Sequence, residues 1–252
     1  MSLPKIRLER CIREDDGLWR LDSDQERHLI RSLRSYDGAS VEGLLGNNDG
    51  RRIFMRLERN AEGYFLREID SESEPRDNLK ITLLIGLLKS GQFDAVLRSA
   101  SELGVDSILP VICERSIPSV AASDIPKKIS RWQKILDDGT AVSGSVYPPK
   151  ISPPVKFGDI GWDSLPEARY AAVISHASRP ISSVACNAGA LVFAVGPEGD
   201  WSESERDVLV SSGFVPVTLG RRIMRASTAA ITGAAWFRFS SIPSCGLTEK
   251  ML

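Results

Sequence analysis

Residues 191–205 read LVFAVGPEGDWSESE. The run Leu191–Val195 is apolar at every position, without alternation, which is how a strand reads when both faces of its sheet are covered. It stops at Gly196-Pro197, crosses an acidic turn and restarts at Ser202. Ser202 followed three residues later by Glu205 forms a capping box, so a helix is expected to begin there. Strand, glycine turn and helix in succession make the repeating unit of a parallel α/β sheet.

The same rhythm extends in both directions from about residue 79. KITLLIGLL (80–88), DSILPVIC (106–113), ARYAAVISHA (168–177) and GFVPVTLG (213–220) read as further strands. QFDAVLRSASELGV (92–105), DIPKKISRWQKILDDGTAVSG (124–144), SESERDVLVSSG (202–213) and STAAITGAAWFRF (227–239) read as helices. Ligands of open parallel sheets sit beyond the carboxyl ends of the strands. The informative loops are therefore those after VISHA, LVFAV and PVTLG.

In the loop after LVFAV, Gly196 and Gly199 permit backbone conformations or close approaches closed to other residues, and Pro197 stiffens the turn. Glu198 and Asp200 would repel a phosphate, and neither GxGxxG nor GxxxxGK[ST] occurs. The turn suits a ligand that is neutral or cationic near the carboxylates. The loop after PVTLG carries Gly220 and then Arg221, Arg222 and Arg225, with Ser227 and Thr228 opening an alanine-rich helix. Three guanidinium groups at a strand end make a clamp for an anion or an RNA phosphate. Cations at a helix N-terminus oppose its dipole, so something else is expected to compensate.

Residues 1–72 look different. GASVEGLLGNNDGRRIFMRLERNAEGYFLREID (38–70) alternates in short runs punctuated by GNNDG and NAEG, both good hairpin turns. Before it, SDQERHLIRSLRSYDG (23–38) reads as a short helix capped by Ser23 or Asp24, with Leu29, Ile30 and Leu33 on one face. A small β-barrel with one helix fits. SESEPRDN (71–78) has no periodicity and reads as a linker, which places a first domain at 1–72, the linker at 73–79 and a second domain at 80–252. Residues 1–78 hold 13 arginines and one lysine against 17 acidic residues. These arginines fit an RNA surface and an ion-paired face equally well.

The whole chain of 252 residues has a formal charge of −1, which gives no global electrostatic argument for nucleic acid. Cys11, Cys113, Cys186 and Cys245 form no cluster with metal-ligand spacing, so free thiols and no metal are expected. No apolar stretch approaches the roughly 20 residues that cross a bilayer. The start, MSLPKIRLERCIRE, has charges where a signal peptide needs an apolar run, so the expectation is a cytoplasmic protein without membrane contact.

Taken together, VGPEGDWSESE and LGRRIMRASTA resemble the paired signatures of the RsmE family, roughly GPEGGxSxxE and LGxRILRxETA. That family comprises SPOUT-class, S-adenosyl-L-methionine-dependent methyltransferases of small-subunit ribosomal RNA. RHLIRSLRSYDGASVEGLLGNNDG, SASELGVDSILPVICERS and RWQKILDDGTAVSG extend the likeness over nearly the whole chain. The resemblance implies an α/β fold, with a SPOUT-type trefoil-knotted parallel-sheet domain preceded by a small PUA-like β-barrel domain. It implies a homodimer acting at N3 of a uridine in 16S rRNA, free or in the assembled small subunit.

Carried onto this chain, the family's cofactor pocket falls on Ser175, His176, Val195, Gly196, Pro197, Gly199, Leu219, Gly220, Ile223, Met224, Arg225, Ser227 and Ala229. Arg222, Arg225 and Glu198 become the catalytic candidates, and Arg31, Arg34 and Arg221 the RNA-binding ones. The chain departs from the family pattern at Ser227, where the family has Glu, and at Asp200, where it has Gly. Val142 and Ser145 replace a Gln and an Arg, and KSGQ replaces a basic KGD, keeping Lys89. Ser227, Val142, Ser145 and the acidic balance make a member that binds RNA or cofactor without turnover the second reading. A dinucleotide-dependent enzyme is the third, disfavoured by the missing GxGxxG.

Overall fold

The structure is a computed structural model and describes residues 3–14, 17–32, 34–46, 50–117, 121–175, 177–184 and 188–241. By internal contacts the chain divides into two units, Met1–Arg76 with Thr140–Pro148, and Asp77–Gly139 with Pro149–Leu252.

In the first unit the strands are β1 (Lys5–Arg7), β2 (Ile12–Arg13), β3 (Leu18–Arg20), β4 (Ser40–Leu45), β5 (Arg51–Asn60) and β6 (Gly63–Ser73). They form one sheet in the order β1-β4-β5-β6-β3-β2, antiparallel except for β1 with β4. Alternation along β5 sends Ile53, Met55 and Leu57 into a core with Ile6, Leu8, Trp19, Leu29 and Leu66. The NAEG turn is a two-residue hairpin closed by Asn60 opposite Gly63. The tip of GNNDG, at 47–49, lies outside the described residues.

Two local expectations change here. Ser71–Ser73, read as the start of a linker, is strand: Ser71 pairs with Ile53 and Ser73 with Arg51. The main-chain ladder holds this polar end of β6 without apolar side chains. Helix α1 (Ser23–Arg27) is capped by Asp22 rather than by Ser23 or Asp24. The Asp22 carboxylate accepts the Gln25 N–H at 2.7 Å, and the Gln25 amide oxygen accepts the Asp22 N–H at 3.3 Å. Gln25 is itself buried and donates to the Arg7 carbonyl, which selects this register over the two that follow. Residues His28–Ser32 continue as a wider π turn with Leu29 buried, and Leu33 lies outside the described residues. The segment Thr140–Pro148 is held in this unit by Arg52 donating to the Gly144 carbonyl and by the Tyr147 hydroxyl donating to the Glu74 carbonyl.

The second unit contains β7 (Lys80–Gly86), α2 (Ser90–Glu102), β8 (Ser107–Ile112), α3 (Ile125–Ser143, grouped here as far as Gly139), β9 (Lys150–Ile151), β10 (Val155–Lys156), β11 (Ala168–Ala172), β12 (Arg179–Pro180), β13 (Ala190–Val195), α4 (Glu203–Ser211), β14 (Val215–Thr218) and α5 (Ala226–Ser240). Its sheet runs β10-β8-β7-β13-β11-β14-β12, with β9 also on β8, and every pair is parallel. The two-residue strands β9, β10 and β12 are too short to carry a pattern of their own.

Leu191, Phe193 and Val195 of β13 enter the core with Phe93, Leu97, Ala230 and Phe237, while Val192 and Ala194 enter another with Phe157, Trp201, Leu209 and Phe214. The unbroken apolar run is thus buried on both faces. Arg238 of α5, 6% exposed, donates to the carbonyls of Leu79, Leu103 and Gly104 and pairs with Asp77 and Asp106. Among the described residues no helix is long and apolar enough to cross a membrane.

Register decides where a ligand goes. Ile85 of β7 pairs with Val195 of β13, Val195 with Ala172 of β11, and Ala172 with Val217 of β14. Four strand ends therefore stop level, and their loops leave the sheet side by side.

Candidate active site

Those loops enclose a cavity of about 460 Å³, within the range of small-molecule sites. One wall is Val195, Gly196, Pro197 and Glu198, and another is Leu219, Gly220, Arg221, Arg222, Ile223 and Met224. Arg225 and Ala229 close it from α5.

Ser175, Gly199 and Ser227 are not on this wall. The Ser175 hydroxyl lies 3.1 Å from that of Ser178, and Ser227 is in the first turn of α5. Gly199 has a different reason to be glycine: a β-carbon there would lie 2.8 Å from that of Arg115 and 2.9 Å from its carbonyl oxygen. The turn is pressed against the loop after β8. His176 lies outside the described residues.

The wall also holds Asp200, named in the sequence for its charge and not as a cofactor contact, and Gln92, Ala172, Val173, Ile174, Val217, Thr218 and Ala226, which sequence reasoning did not single out. The strand-end rule contained the signal for those that end β11 and β14. Gln92 comes from the start of α2, at the end of the KSGQ stretch that departs from the family pattern, and nothing in that stretch marked it as a lining residue.

The capping box on α4 is present. Glu205 accepts the Ser202 N–H at 2.9 Å, its other oxygen accepts the Glu114 N–H at 2.8 Å, and the Ser202 hydroxyl accepts the Glu205 N–H. Asp200 adopts φ 61°, the left-handed region that suits the glycine of the family pattern. Its carboxylate accepts the Trp201 N–H at 2.8 Å and pairs with Arg206 at 2.7 Å.

Glu198 differs from Asp200 in having capacity to spare. One carboxylate oxygen accepts the Lys89 N–H at 3.0 Å, and the other is buried without a partner. The Gln92 amide oxygen is also buried and unpaired. Opposite in charge, Arg221, Arg222 and Arg225 are exposed, with no ion-pair or hydrogen-bond partner among the described residues. No side chain caps α5 at Arg225, so the first N–H groups of that helix are open to an acceptor at the cavity rim. The site therefore offers acceptors to a cation at one side and donors to an anion at the other.

In the first unit, Arg20, Arg51, Arg52 and Arg67 are tied to Glu62, Glu68, Glu42 and Glu58. Arg31 and Arg34 are exposed, without an ion-pair or hydrogen-bond partner among the described residues. No group of three or more His, Cys, Asp or Glu side chains able to hold a metal occurs among the described residues.

Comparison with known proteins decides the family. The family model for the RNA methyltransferase domain matches residues 75–238. The ribosomal RNA small subunit methyltransferase E 2 of Borreliella burgdorferi is 30% identical, covering 86% of this chain and 89% of its own. The chain belongs to the RsmE family of RNA methyltransferases. Another RsmE protein, from Synechocystis, is 28% identical over 85% of this chain and 71% of its own. The RsmE structure from Neisseria gonorrhoeae bound to S-adenosyl methionine has a TM-score of 0.82 at 27% identity, covering 94% of this chain and 98% of that one. A Legionella pneumophila methyltransferase structure shares the fold, with a TM-score of 0.86 at 24% identity over 95% and 98% of the two chains.

Proposed function

We propose that this protein transfers a methyl group from S-adenosyl methionine to N3 of a uridine in the 16S rRNA of the small ribosomal subunit. The observation that carries the reading is the cavity at the level ends of β11, β13 and β14, walled by the two motif loops. Its donor set fits the cofactor. The unpaired Glu198 and Gln92 oxygens suit a cationic centre, and the uncapped start of α5 suits a carboxylate. Backbone groups of Gly196, Pro197, Leu219 and Gly220 hold the adenosine, and Ala229 leaves it room.

When bound, S-adenosyl methionine supplies an electrophilic methyl group on a positive sulfur. Uridine N3 loses a proton as the methyl arrives, and Glu198 takes it: Asp200, the other carboxylate on the wall, is committed to Arg206. Arg222 and Arg225 stabilise the negative charge that spreads to O2 and O4, and they stay protonated throughout. Arg221 grips an adjacent phosphate, and Arg31 and Arg34 extend the RNA contact. Ser227, away from the cavity wall, costs the site no lining group by standing where the family has Glu.

The rest of the family's architecture belongs to the same proposal: a trefoil knot in the second unit, a PUA-like role for the first, a cytoplasmic location and a homodimer. The insertion of β13 between β7 and β11 supports the knot. Ile174 and Ile223, 60% and 82% exposed at the cavity rim, support the dimer.

The test is incubation of unmethylated small subunits with the protein and S-adenosyl methionine, followed by digestion and mass spectrometry. N3-methyluridine, absent with Glu198→Gln, is the expected product. If folded wild-type protein binds the cofactor and yields no methylated nucleoside, the chain is a binder without turnover.

A further inference from the structure

Among the described residues, three α-helices begin with a side chain suited to a capping box at their third position. In α1 and α4 that residue, Gln25 or Glu205, reaches back and accepts the N–H of the capping residue. Helix α2 breaks the rule. Its cap is Lys89 and its third residue is Gln92, yet the Lys89 N–H is taken by Glu198, arriving from the loop after β13.

Gln92 is thereby left without the bond its position favours. Its amide oxygen is buried with no partner, and so is the free oxygen of Glu198. Both residues line the same cavity. A buried acceptor without a donor is destabilising, and two on one wall of a ligand cavity call for a donor or a positive centre from outside the chain.

We infer that Gln92 and Glu198 form an acceptor pair that reads the charge of the cofactor's reacting centre, holding the positive sulfonium more tightly than the neutral thioether left after transfer. The inference rests on the cofactor reading above and adds Gln92 as a positioning residue and a discriminator of cofactor from product. The chemistry is self-consistent. Before transfer a carboxylate and an amide oxygen face a cation, with its polarised methyl and methylene C–H groups. Afterwards the sulfur is neutral and Glu198 has taken the N3 proton, so the attraction is gone and the product leaves.

The probes are S-adenosyl methionine, S-adenosylhomocysteine, and sinefungin, whose ammonium group stands in place of the methyl sulfonium. Their affinities are measured by calorimetry on full-length protein near pH 7. Wild type is expected to bind both cationic ligands about tenfold more tightly than S-adenosylhomocysteine. Gln92→Met, close in shape and without an acceptor, should shrink that ratio several-fold, with a smaller change for S-adenosylhomocysteine itself. Gln92→Glu, which adds charge, should widen it.

Ratios that stay at the wild-type value in both variants overturn the acceptor pair while leaving the cofactor reading intact. Wild-type protein that binds none of the three ligands overturns both. A Gln92→Met protein too unstable to measure leaves Gln92→Glu to decide, and a ratio that does not widen there counts against the pair.

Discussion

Gly233 of α5 lies against the ring of Phe193 in β13, so closely that a β-carbon on it would sit 2.1 Å from the ring. The helix that closes the cavity is seated on the sheet by this absence of a side chain. Gly233→Ala forces the helix outward or the ring off its rotamer, and about 1–3 kcal/mol of stability should be lost. Denaturant unfolding measures it, and pairing the change with Phe193→Leu should recover part of the loss. No recovery would mean that the two residues do not couple.

Arg238 is the other fixed point of α5. Its guanidinium is buried among three carbonyls and two aspartates, so removing it leaves several acceptors without donors. Arg238→Met should lower stability by about 3–5 kcal/mol. Arg238→Lys should restore little, because one ammonium cannot serve acceptors spread around a planar fork. Thermal unfolding of the two variants compares them directly.

Asp200 separates backbone strain from side-chain contact. Alanine at φ 61° pays the left-handed penalty and loses both carboxylate bonds, so Asp200→Ala should destabilise by about 1–2 kcal/mol. Asp200→Gly relieves the strain while losing a half-exposed ion pair with Arg206 that is worth at most about 1 kcal/mol. Its unfolding midpoint should lie close to wild type. A glycine variant as unstable as the alanine one would show that the contact with Arg206 dominates.

Alkaline pH should unfold this protein in a definable window. Burial, aided by Asp22 in one case and Glu205 in the other, pushes the Cys11 and Cys113 thiols from 9.0 up to about 12. The folded state keeps these protons where the unfolded chain gives them up. Their contribution is therefore complete below about pH 9 and is lost as the pH rises towards 12. In Cys113→Ala the fall in stability over that interval should be shallower. An unchanged slope would place the alkaline sensitivity elsewhere.

Arg31 and Arg34, without an ion-pair partner among the described residues, should behave unlike the ion-paired arginines of the first unit. Arg31→Ala and Arg34→Ala should each weaken binding to ribosomal RNA and reduce the slope of log affinity against log salt by about one. Arg67→Ala, which releases Glu58, should leave the slope nearly unchanged. Equal slopes for all three would place the RNA elsewhere.

What the sequence made legible was whatever a local pattern could carry. LVFAV announces a strand covered on both faces, and Ser202 with Glu205 announces the start of α4, because burial period and capping are properties of short segments. Gly199 could not be assigned from the sequence, since glycine answers a ligand and a neighbouring backbone alike, and the approach of Arg115 appears only in the fold. The role of Gln92, the last residue of KSGQ, was not legible because it depends on Glu198, more than a hundred positions away, taking the Lys89 N–H. The departure at Asp200 is legible in the sequence only as a change from glycine; its left-handed backbone, which aspartate tolerates, is not. Strand order was beyond local reading, as each strand that borders the cavity gets its neighbours from distant segments.

That order governs how the chain comes to be folded. β7 joins β13 along a ladder from Lys80 with Ala190 to Ile85 with Val195, so one edge of β7 stays bare until residue 195 has been synthesised. Contacts of such long sequence separation form slowly, and an apolar edge left open meanwhile invites pairing with another chain. A nascent chain halted in α3 would hold β7 and β8 with no cavity at all. Ligand binding can therefore report that the second unit has finished folding.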